Sequence, residues 1–249
     1  MIRSAVLAGM VVVSGMVQTC NPKTIDLEVY EEPQNLMDIS EATDSQGNTY
    51  RVAYDQVSDS NQDPYIEKLD ARGNVVWSMH HSATPVDERA VKIVVDPFDI
   101  PWVVFTLDGG STDAAFITQK HIVNAGTWNN ALFRGYGQAD GAAQVVVIAC
   151  MHPETGELER ATFFMSRTEE GDIDAAAKTN TLIVDEFEVG NTVNIRVRSW
   201  YLPPATTARH ANFVFHPQAT EATKTGDSWT VDYVLSRGLD TMYEADIVQ

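Results

Sequence analysis

The sequence has little cysteine and little positive charge, and each shortage excludes a class of function. Of its 249 residues only Cys20 and Cys150 are cysteines, and no Cys-x-x-Cys spacing occurs. That spacing is the usual cue for zinc, c-type haem and thioredoxin-like redox sites, so none of these is predicted. Lysine plus arginine number 17 against 35 aspartates plus glutamates, a formal net charge of −18. Because so acidic a surface repels phosphate groups, nucleic acid and anionic lipid headgroups are excluded as partners.

The familiar catalytic sequence patterns are missing as well. The sequence contains no Gly-x-Ser-x-Gly nucleophile motif, no His-Glu-x-x-His spacing, no glycine-rich phosphate loop and no dinucleotide fingerprint. The adjacent His80 and His81 would point to opposite faces of a strand, so they would not chelate one ion. We therefore expect a protein that is not an enzyme and has no cofactor, with calcium as the one alternative.

The first twenty residues form a candidate export segment. Arg3 precedes the apolar run Ser4–Val17, which has the length of a signal-peptide core and is too short for a membrane span. Cys20 follows that run, as the acylated cysteine does in a bacterial lipoprotein signal. We expect residues 1–20 to direct export to the periplasm, the outer membrane or the extracellular space, with Cys20 as the lipid attachment site and sole membrane contact. The alternative is that this run is a buried strand or helix.

Beyond Cys20 the sequence predicts strands and turns, in a single all-β domain over residues 23–249. Short apolar or alternating runs are separated by turns rich in Gly, Asn and Pro, which is typical of antiparallel strands. The continuous run Gln144–Met151 indicates a strand buried on both faces, and only Asp172–Lys178 has helical character. The predicted strands are Ile25–Tyr30, Thr49–Tyr54, Tyr65–Leu69, Val75–Met79, Val91–Val95, Trp102–Phe105, Gln144–Met151, Leu158–Met165, Thr181–Asp185, Val193–Val197, Phe213–Phe215, Trp229–Val234 and Met242–Val248.

A pattern of turns and strands recurs along the chain after 52 residues. A period near that length indicates a repeat architecture in which neighbouring units share a core. Recurrence argues for a structural role, since a catalytic group is normally unique in a chain. The corresponding positions are Asp44 and Asp96, Tyr50 and Trp102, Lys68 and Lys120, and, with a slip of one residue, Trp77 and Trp128.

The first copy, Asp44–Trp77, resembles a blade of the bacterial β-propeller repeat family of the SBBP type. It contains an Asp-x-x-Gly-Asn turn at Asp44–Asn48 and, from Asp63 to Trp77, the pattern Asp-x-Tyr…Lys-Leu-Asp-x-x-Gly-Asn-x-x-Trp. The resemblance implies a β-propeller-like repeat of four or five blades with tryptophans wedged between them. It implies little about activity, because such blades are scaffolds. The alternative architecture for the same strands is a β-sandwich.

Asp59, Asn61 and Asp63 form a candidate metal site. Their Asp-x-Asn-x-Asp spacing presents oxygen atoms from alternate positions of a tight loop, as calcium-binding loops do. Pro64 stands where a helix-loop-helix calcium site needs glycine, so the expected site is a looser calcium loop at the edge of a blade. The alternative is an ordinary acidic surface loop.

These features together predict an exported, lipid-anchored binding or structural module of the bacterial envelope or cell surface. Its partner would be a protein or a glycan, and it would act in a homo- or hetero-oligomer. Two alternatives stay open. One is a glycan-active hydrolase or lyase on a propeller scaffold. The other is a subunit of an extracellular filament or envelope complex.

Overall fold

A computed structural model of the protein describes residues 33, 35–59, 61–80, 87–108, 144–166, 182–199, 204–206 and 224–248. Within these ranges the chain forms thirteen β-strands and no helix. The all-β fold class predicted from the sequence is therefore confirmed for this part of the chain. The predicted strands Ile25–Tyr30 and Phe213–Phe215 and the short helical stretch Asp172–Lys178 lie outside the described residues.

The strands form three antiparallel sheets, and the core of each is a meander of four strands in chain order. Sheet A consists of β1 (Leu36–Thr43), β2 (Thr49–Ser58), β3 (Asn61–Leu69) and β4 (Val75–His80). Sheet B consists of β5 (Glu88–Val95), β6 (Pro101–Asp108), β7 (Gln144–Met151) and β8 (Leu158–Ser166). Sheet C consists of β9 (Leu182–Val189), β10 (Val193–Ser199), β12 (Trp229–Leu235) and β13 (Met242–Ile247). The short β11 (Pro204–Thr206) pairs with β8 at the edge of sheet B.

Most of these strands match the predicted ones, and β7 matches at both ends. Sequence reasoning missed two strands, the three-residue β11 and β1, which has no continuous apolar run. Its side chains are mostly exposed, and its pairing with β2 is interrupted by a register shift between Met37 and Ser40. An exposed edge strand has little need of apolar alternation, so its sequence carries a weak signal.

The three sheets stack face to face, with sheet B in the middle. One hydrophobic cluster fills the space between sheets A and B, and a second fills the space between sheets B and C. Strand β7 contributes alternate residues to both clusters, and Val146–Met151 are all at most 1% exposed. The prediction that this strand is buried on both faces is confirmed. The described residues thus form three layers, where a β-sandwich has two.

Three turns of the same construction close hairpins at one end of the stack, which we call the turn end. Asp44, Asp70 and Asp96 begin these turns. In each, one carboxylate oxygen accepts hydrogen bonds from the backbone N–H groups two and four residues later, over 2.7–3.1 Å. Aspartate favours such turns because its short side chain satisfies the local backbone. Asp44 and Asp96 each close the first hairpin of their sheet.

The third residue after each of these aspartates has a positive φ. Gly47 and Gly73 both have φ of 84°, and Asp99 has φ of 62° at the equivalent place. A turn followed by one residue in the left-handed region is a common three-residue hairpin connection. Glycine adopts that region without strain and aspartate tolerates it better than most residues. This is why Asp96–Ile100 keeps the turn although it lacks the Gly-Asn pair of the first copy.

The other end of the stack, which we call the open end, carries the longer connections. The strands that lead into residues 81–86, 109–143, 167–181 and 200–203 all finish there. The described part of the chain therefore separates two kinds of surface. The turn end carries the Asp44, Asp70 and Asp96 turns. The open end carries the tight turn between β2 and β3 and the strand ends that enter residues 81–86, 109–143 and 167–181.

Candidate functional site

Lys68 and Trp77, two of the predicted repeat residues, bind the same atom of the neighbouring sheet. The Lys68 ammonium and the Trp77 indole N–H both donate to the carbonyl oxygen of Pro153, over 3.0 and 3.1 Å. Pro153 lies in the turn between β7 and β8. Lys68 also pairs with Glu154 at 3.1 Å. Burial alone would lower the pKa of Lys68, but its hydrogen bond to Glu154 helps to outweigh that effect and raise the pKa.

The indole of Trp77 also packs against Gly156 in the same turn. A Cβ atom at Gly156 would lie 2.9 Å from two ring carbons of Trp77, and the φ of Gly156 is +74°. On its other side the indole lies 6.1 Å from the ring of Tyr50, which is fully buried between sheets A and B. Trp77 therefore lies between sheet A and the β7–β8 turn of sheet B.

Asp96 and Trp102 join sheet B to sheet C at the same end of the stack. Besides closing its own turn, Asp96 accepts a hydrogen bond from the Trp102 indole N–H over 2.9 Å and another from Arg237. Arg237 lies in the turn between β12 and β13 and also donates to the Gly190 carbonyl over 2.7 Å. Burial alone would raise the pKa of Asp96, but the bonds from Arg237 and Trp102 outweigh it and lower that pKa.

Tyr50 and Trp102 occupy equivalent places, as their correspondence in the sequence predicts. Each is the second residue of the strand that follows the first turn of its sheet. Each side chain is buried and points toward the following sheet, Tyr50 toward sheet B and Trp102 toward sheet C. The other repeat residues, Lys120 and Trp128, lie outside the described residues, as does Cys20. The described repeat residues thus close turns or contact the neighbouring sheet.

The predicted calcium loop is wrong as a loop. Strand β3 begins at Asn61, so Asn61 and Asp63 are strand residues and only Asp59 lies in the turn. Alternate residues of an extended strand are about 6.5–7 Å apart, whereas a calcium loop folds its oxygens around one point. The run looked like a loop because Asp, Ser, Asn and Pro favour turns, and only the pairing of β3 with β2 overrides that preference. Across the described ranges, no group of three or more His, Cys, Asp or Glu side chains is arranged to hold a metal ion.

Asp63 instead belongs to a cluster with Asp55 and His80, which we call the Asp–His–Asp cluster. Asp55 and Asp63 are direct cross-strand partners on β2 and β3, and His80 ends the adjacent β4. The His80 Nε2 atom lies 3.7 Å from Asp55 Oδ2 and 3.8 Å from Asp63 Oδ2. Both distances exceed a hydrogen bond, and this buried nitrogen has no hydrogen-bond partner among the described residues. The cluster faces away from sheet B, at the open end.

Two features of the surroundings act on this cluster. Burial, followed by the charge of Asp55, raises the pKa of Asp63 to about 6. The ring of Tyr65 packs edge-on against the His80 imidazole, with centroids 6.3 Å apart. Sequence reasoning missed the cluster because its three members are far apart in the chain. Only the register of two hairpins brings them together.

The outer face of sheet C, which points away from sheet B, is charged and open to solvent. At its centre Arg196 binds both carboxylate oxygens of Asp232, over 2.6 and 2.8 Å, and also binds Glu186. A depression of about 280 Å³ lies on this face. Its lining includes Glu186, Glu188, Asn194, Arg196, Asp232, Glu244 and Asp246. Exposed ion pairs contribute little to stability. The charged groups of this face are therefore solvated, as expected for the outermost layer of a stack of sheets.

Cys150 is buried between sheets B and C, as its position after an apolar run predicts. Burial raises the pKa of its thiol to about 12, so the thiolate needed for redox or nucleophilic chemistry does not form near neutral pH. No helix in the described ranges is long and apolar enough to cross a membrane.

Comparisons with known proteins leave the function of this site open. No protein-family model matches the sequence, and no curated protein matches it. Among solved structures, the crystal structure of a thermostable family-43 glycoside hydrolase is similar, with 8% sequence identity and a TM-score of 0.30. The match covers 86% of this chain and 90% of that chain. A TM-score this low carries no argument about the fold or the activity of this chain.

Proposed function

We propose that the protein is an exported binding or structural module of the bacterial envelope or cell surface, built on a β-propeller-like repeat scaffold. The observation that carries this proposal is that the recurring residues close turns and join neighbouring sheets. Asp44 and Asp96 close equivalent turns, while Lys68 and Trp77 fasten one sheet to the next. These copied residues serve the scaffold, so recognition has to come from other parts of the molecule.

The architecture we propose is a propeller-like stack that is open at sheet C. Four-stranded meanders stacked face to face are the units of a β-propeller, which supports the resemblance found in the sequence. Closing a ring through the outer face of sheet C would bury the charged groups around Arg196, at a large cost in desolvation. The charge of this face therefore favours an open stack, or one completed by a second subunit. The number of blades, four or five, stays a prediction.

We place the binding surface at the open end of the stack. The turn end is occupied by contacts between sheets, whereas at the open end strands finish at His80, Asp108 and Ser166 and enter the connections 81–86, 109–143 and 167–181. Binding residues are commonly carried at such strand ends by a rigid scaffold. The net charge of −18 favours a protein or glycan partner that carries basic groups.

The lipid anchor makes a direct prediction for the full chain expressed with a C-terminal tag in a Gram-negative bacterium. We expect the protein in the membrane fraction, labelled by radioactive palmitate, because Cys20 would become the acylated first residue. Cys20→Ser should abolish the label and the membrane association. Cys150→Ser is the matched control and should keep both. Label retained in Cys20→Ser, or a wild-type chain confined to the cytoplasm, would contradict the proposal.

A glycan-active hydrolase is the second candidate function, favoured by the Asp–His–Asp cluster. Glycosidases pair a carboxylic acid with a carboxylate, and Asp63, with its raised pKa beside Asp55, meets that chemical requirement. The side chains of Asp63 and Asp55 are only 2% and 9% exposed, which leaves a substrate little access.

The two candidate functions predict opposite results in an assay for glycan hydrolysis, and our proposal predicts no activity. We expect no reducing sugar to be released from a panel of bacterial and plant polysaccharides, because the two carboxylates are buried. Release that Asp63→Asn abolishes and Asp59→Asn leaves unchanged, with both variants folded, would replace our proposal by the hydrolase. Reducing-end assays together with circular dichroism of the variants provide the measurement.

A further inference from the structure

We propose that Asp55, His80 and Asp63 form a proton-operated clamp in sheet A. Uptake of one proton by the cluster ties the end of β4 to β2 and β3, and loss of that proton releases it. The inference concerns the described part of sheet A and does not depend on the proposed function. It rests on the geometry of three side chains that converge on one buried nitrogen.

Without an added proton, the cluster is poorly satisfied. Asp55 and Asp63 stand directly opposite each other across β2 and β3, and like charges in that position destabilise a sheet. A neutral imidazole has at most one N–H at Nε2, so it can bond to only one of the two carboxylates. A proton held among the three groups provides a donor and a positive charge, or removes one negative charge. Either change turns repulsion between the strands into attraction.

Within the described part of the chain, nearby charges do not supply the missing compensation. Arg51 is the one base on this face among the described residues of sheet A, and it is bound by Glu41 and Glu67 at 2.6 and 2.7 Å. Tyr65, the neighbour of His80, donates its hydroxyl to Glu67 over 2.9 Å.

Other neighbours leave the charge of the cluster unchanged as well. The backbone N–H of Asn35 donates to Asp55 Oδ1 over 3.0 Å, which stabilises one carboxylate without neutralising it. On the other side of sheet A, β5 begins with Glu88 and Arg89, and the Arg89 guanidinium is bound by Gln62 and by Asp87. The Asn61 side chain hydrogen-bonds to Asp63, which stabilises that carboxylate without neutralising it. Among the described residues, a proton is therefore the remaining means of compensating the two carboxylates.

The pH at which the clamp would close follows from the titration of Asp63. Its pKa is raised to about 6 in the folded protein from an ordinary value of 3.8. A carboxyl whose pKa is higher in the folded state makes folding take up a proton. Stability from this group therefore rises as the pH falls through about 6, and the gain is complete below 3.8.

The test compares thermal unfolding of the full chain at pH 7.5 and pH 5.5 in the presence of EDTA. We expect the cluster to raise the midpoint of the wild type by about 2–3 °C on acidification, in a chain of this size. Asp63→Asn and His80→Gln should lose most of this rise, because the first removes the carboxyl that takes up the proton and the second removes the imidazole on which both carboxylates converge. Asp59→Asn, an exposed acid in the same segment, is the matched control. It should keep the rise, including any part that comes from general charge repulsion.

Hydrogen exchange gives a second readout that needs no variant. After correction for the intrinsic effect of pH, the amides of Met79 and His80 should exchange about fourfold more slowly at pH 5.5 than at pH 7.5, a difference of ~0.8 kcal/mol for one carboxyl with a pKa of about 6. Amides of β12, far from the cluster, should not change. Equal protection at both pH values would overturn the proposal, as would an undiminished midpoint rise in Asp63→Asn. A rise at pH 7.5 on adding Ca²⁺ or Zn²⁺, absent in Asp63→Asn, would also overturn it by making a metal ion the ligand.

Discussion

Replacing Asp96 with alanine is expected to lower the free energy of unfolding by about 3–5 kcal/mol, the usual cost of removing one partner from a buried charged pair. The substitution leaves the Arg237 guanidinium, the Trp102 indole N–H and two backbone N–H groups without their shared acceptor. It also cuts the hydrogen-bonded link between sheets B and C at the turn end. Urea denaturation followed by tryptophan fluorescence measures the loss.

Asp70→Ala is the matched control for this prediction. Asp70 closes a turn of the same construction with the same backbone bonds, but it is only partly buried and, among the described residues, its side chain makes no bond to another sheet. We expect a much smaller loss than for Asp96→Ala. Equal losses in the two variants would mean that the turn alone, and not the contact with Arg237, accounts for the importance of Asp96.

Trp77→Ala is the second substitution with a large expected effect, about 3–4 kcal/mol of unfolding free energy. It removes the ring that packs between Tyr50 and Gly156 and the hydrogen bond to the Pro153 carbonyl. Trp77→Phe keeps much of the packing and loses only the bond, so its cost should be nearer 1 kcal/mol, or about that of one hydrogen bond. Equilibrium unfolding of the two variants separates packing from hydrogen bonding.

A double-mutant cycle with Gly156→Ala shows whether the ring and the turn are in contact. In the wild type, the added methyl group meets the Trp77 ring at 2.9 Å and alanine must also adopt a φ of +74°. In the Trp77→Ala background the clash is gone and only the backbone strain remains, about 1–2 kcal/mol. The cost of Gly156→Ala should therefore fall by at least ~1 kcal/mol in that background. Strictly additive costs would place the ring elsewhere.

The predictions for Asp96 and Trp77 test the same feature of the molecule, the contacts that bind one sheet to the next. In the described structure, each sheet is bound to the next at the turn end by side chains that recur in the sequence. Lys68 and Trp77 bind the turn of sheet B, and Asp96 receives Arg237 from the turn of sheet C. These contacts all lie at the turn end, so they do not involve the residues of the open end. That division is why we look for recognition at the strand ends and for pH sensitivity at the Asp–His–Asp cluster.

Much of the strand pattern was readable because local chemistry decides it. Asp44 and Asp96 begin turns because an aspartate satisfies its own backbone in a tight hairpin. Gln144–Met151 reads as a strand because every residue of a doubly covered strand can be apolar. Strand β1 was not predicted because an exposed edge strand does not need apolar alternation. Asn61–Asp63 were predicted as a loop because residues that favour turns can still pair within a strand.

The sequence by itself determined the all-β class, the hairpins and the recurring turns, since these depend on residues within a few positions of each other. The tertiary structure alone decided which sheets meet and which charges share a site. Arg237 reaches Asp96 across 141 residues, and His80 meets Asp55 and Asp63 only through the registers of two hairpins. The reason is physical: backbone and turn preferences act locally, whereas burial and electrostatics act between neighbours in space whatever their separation along the chain.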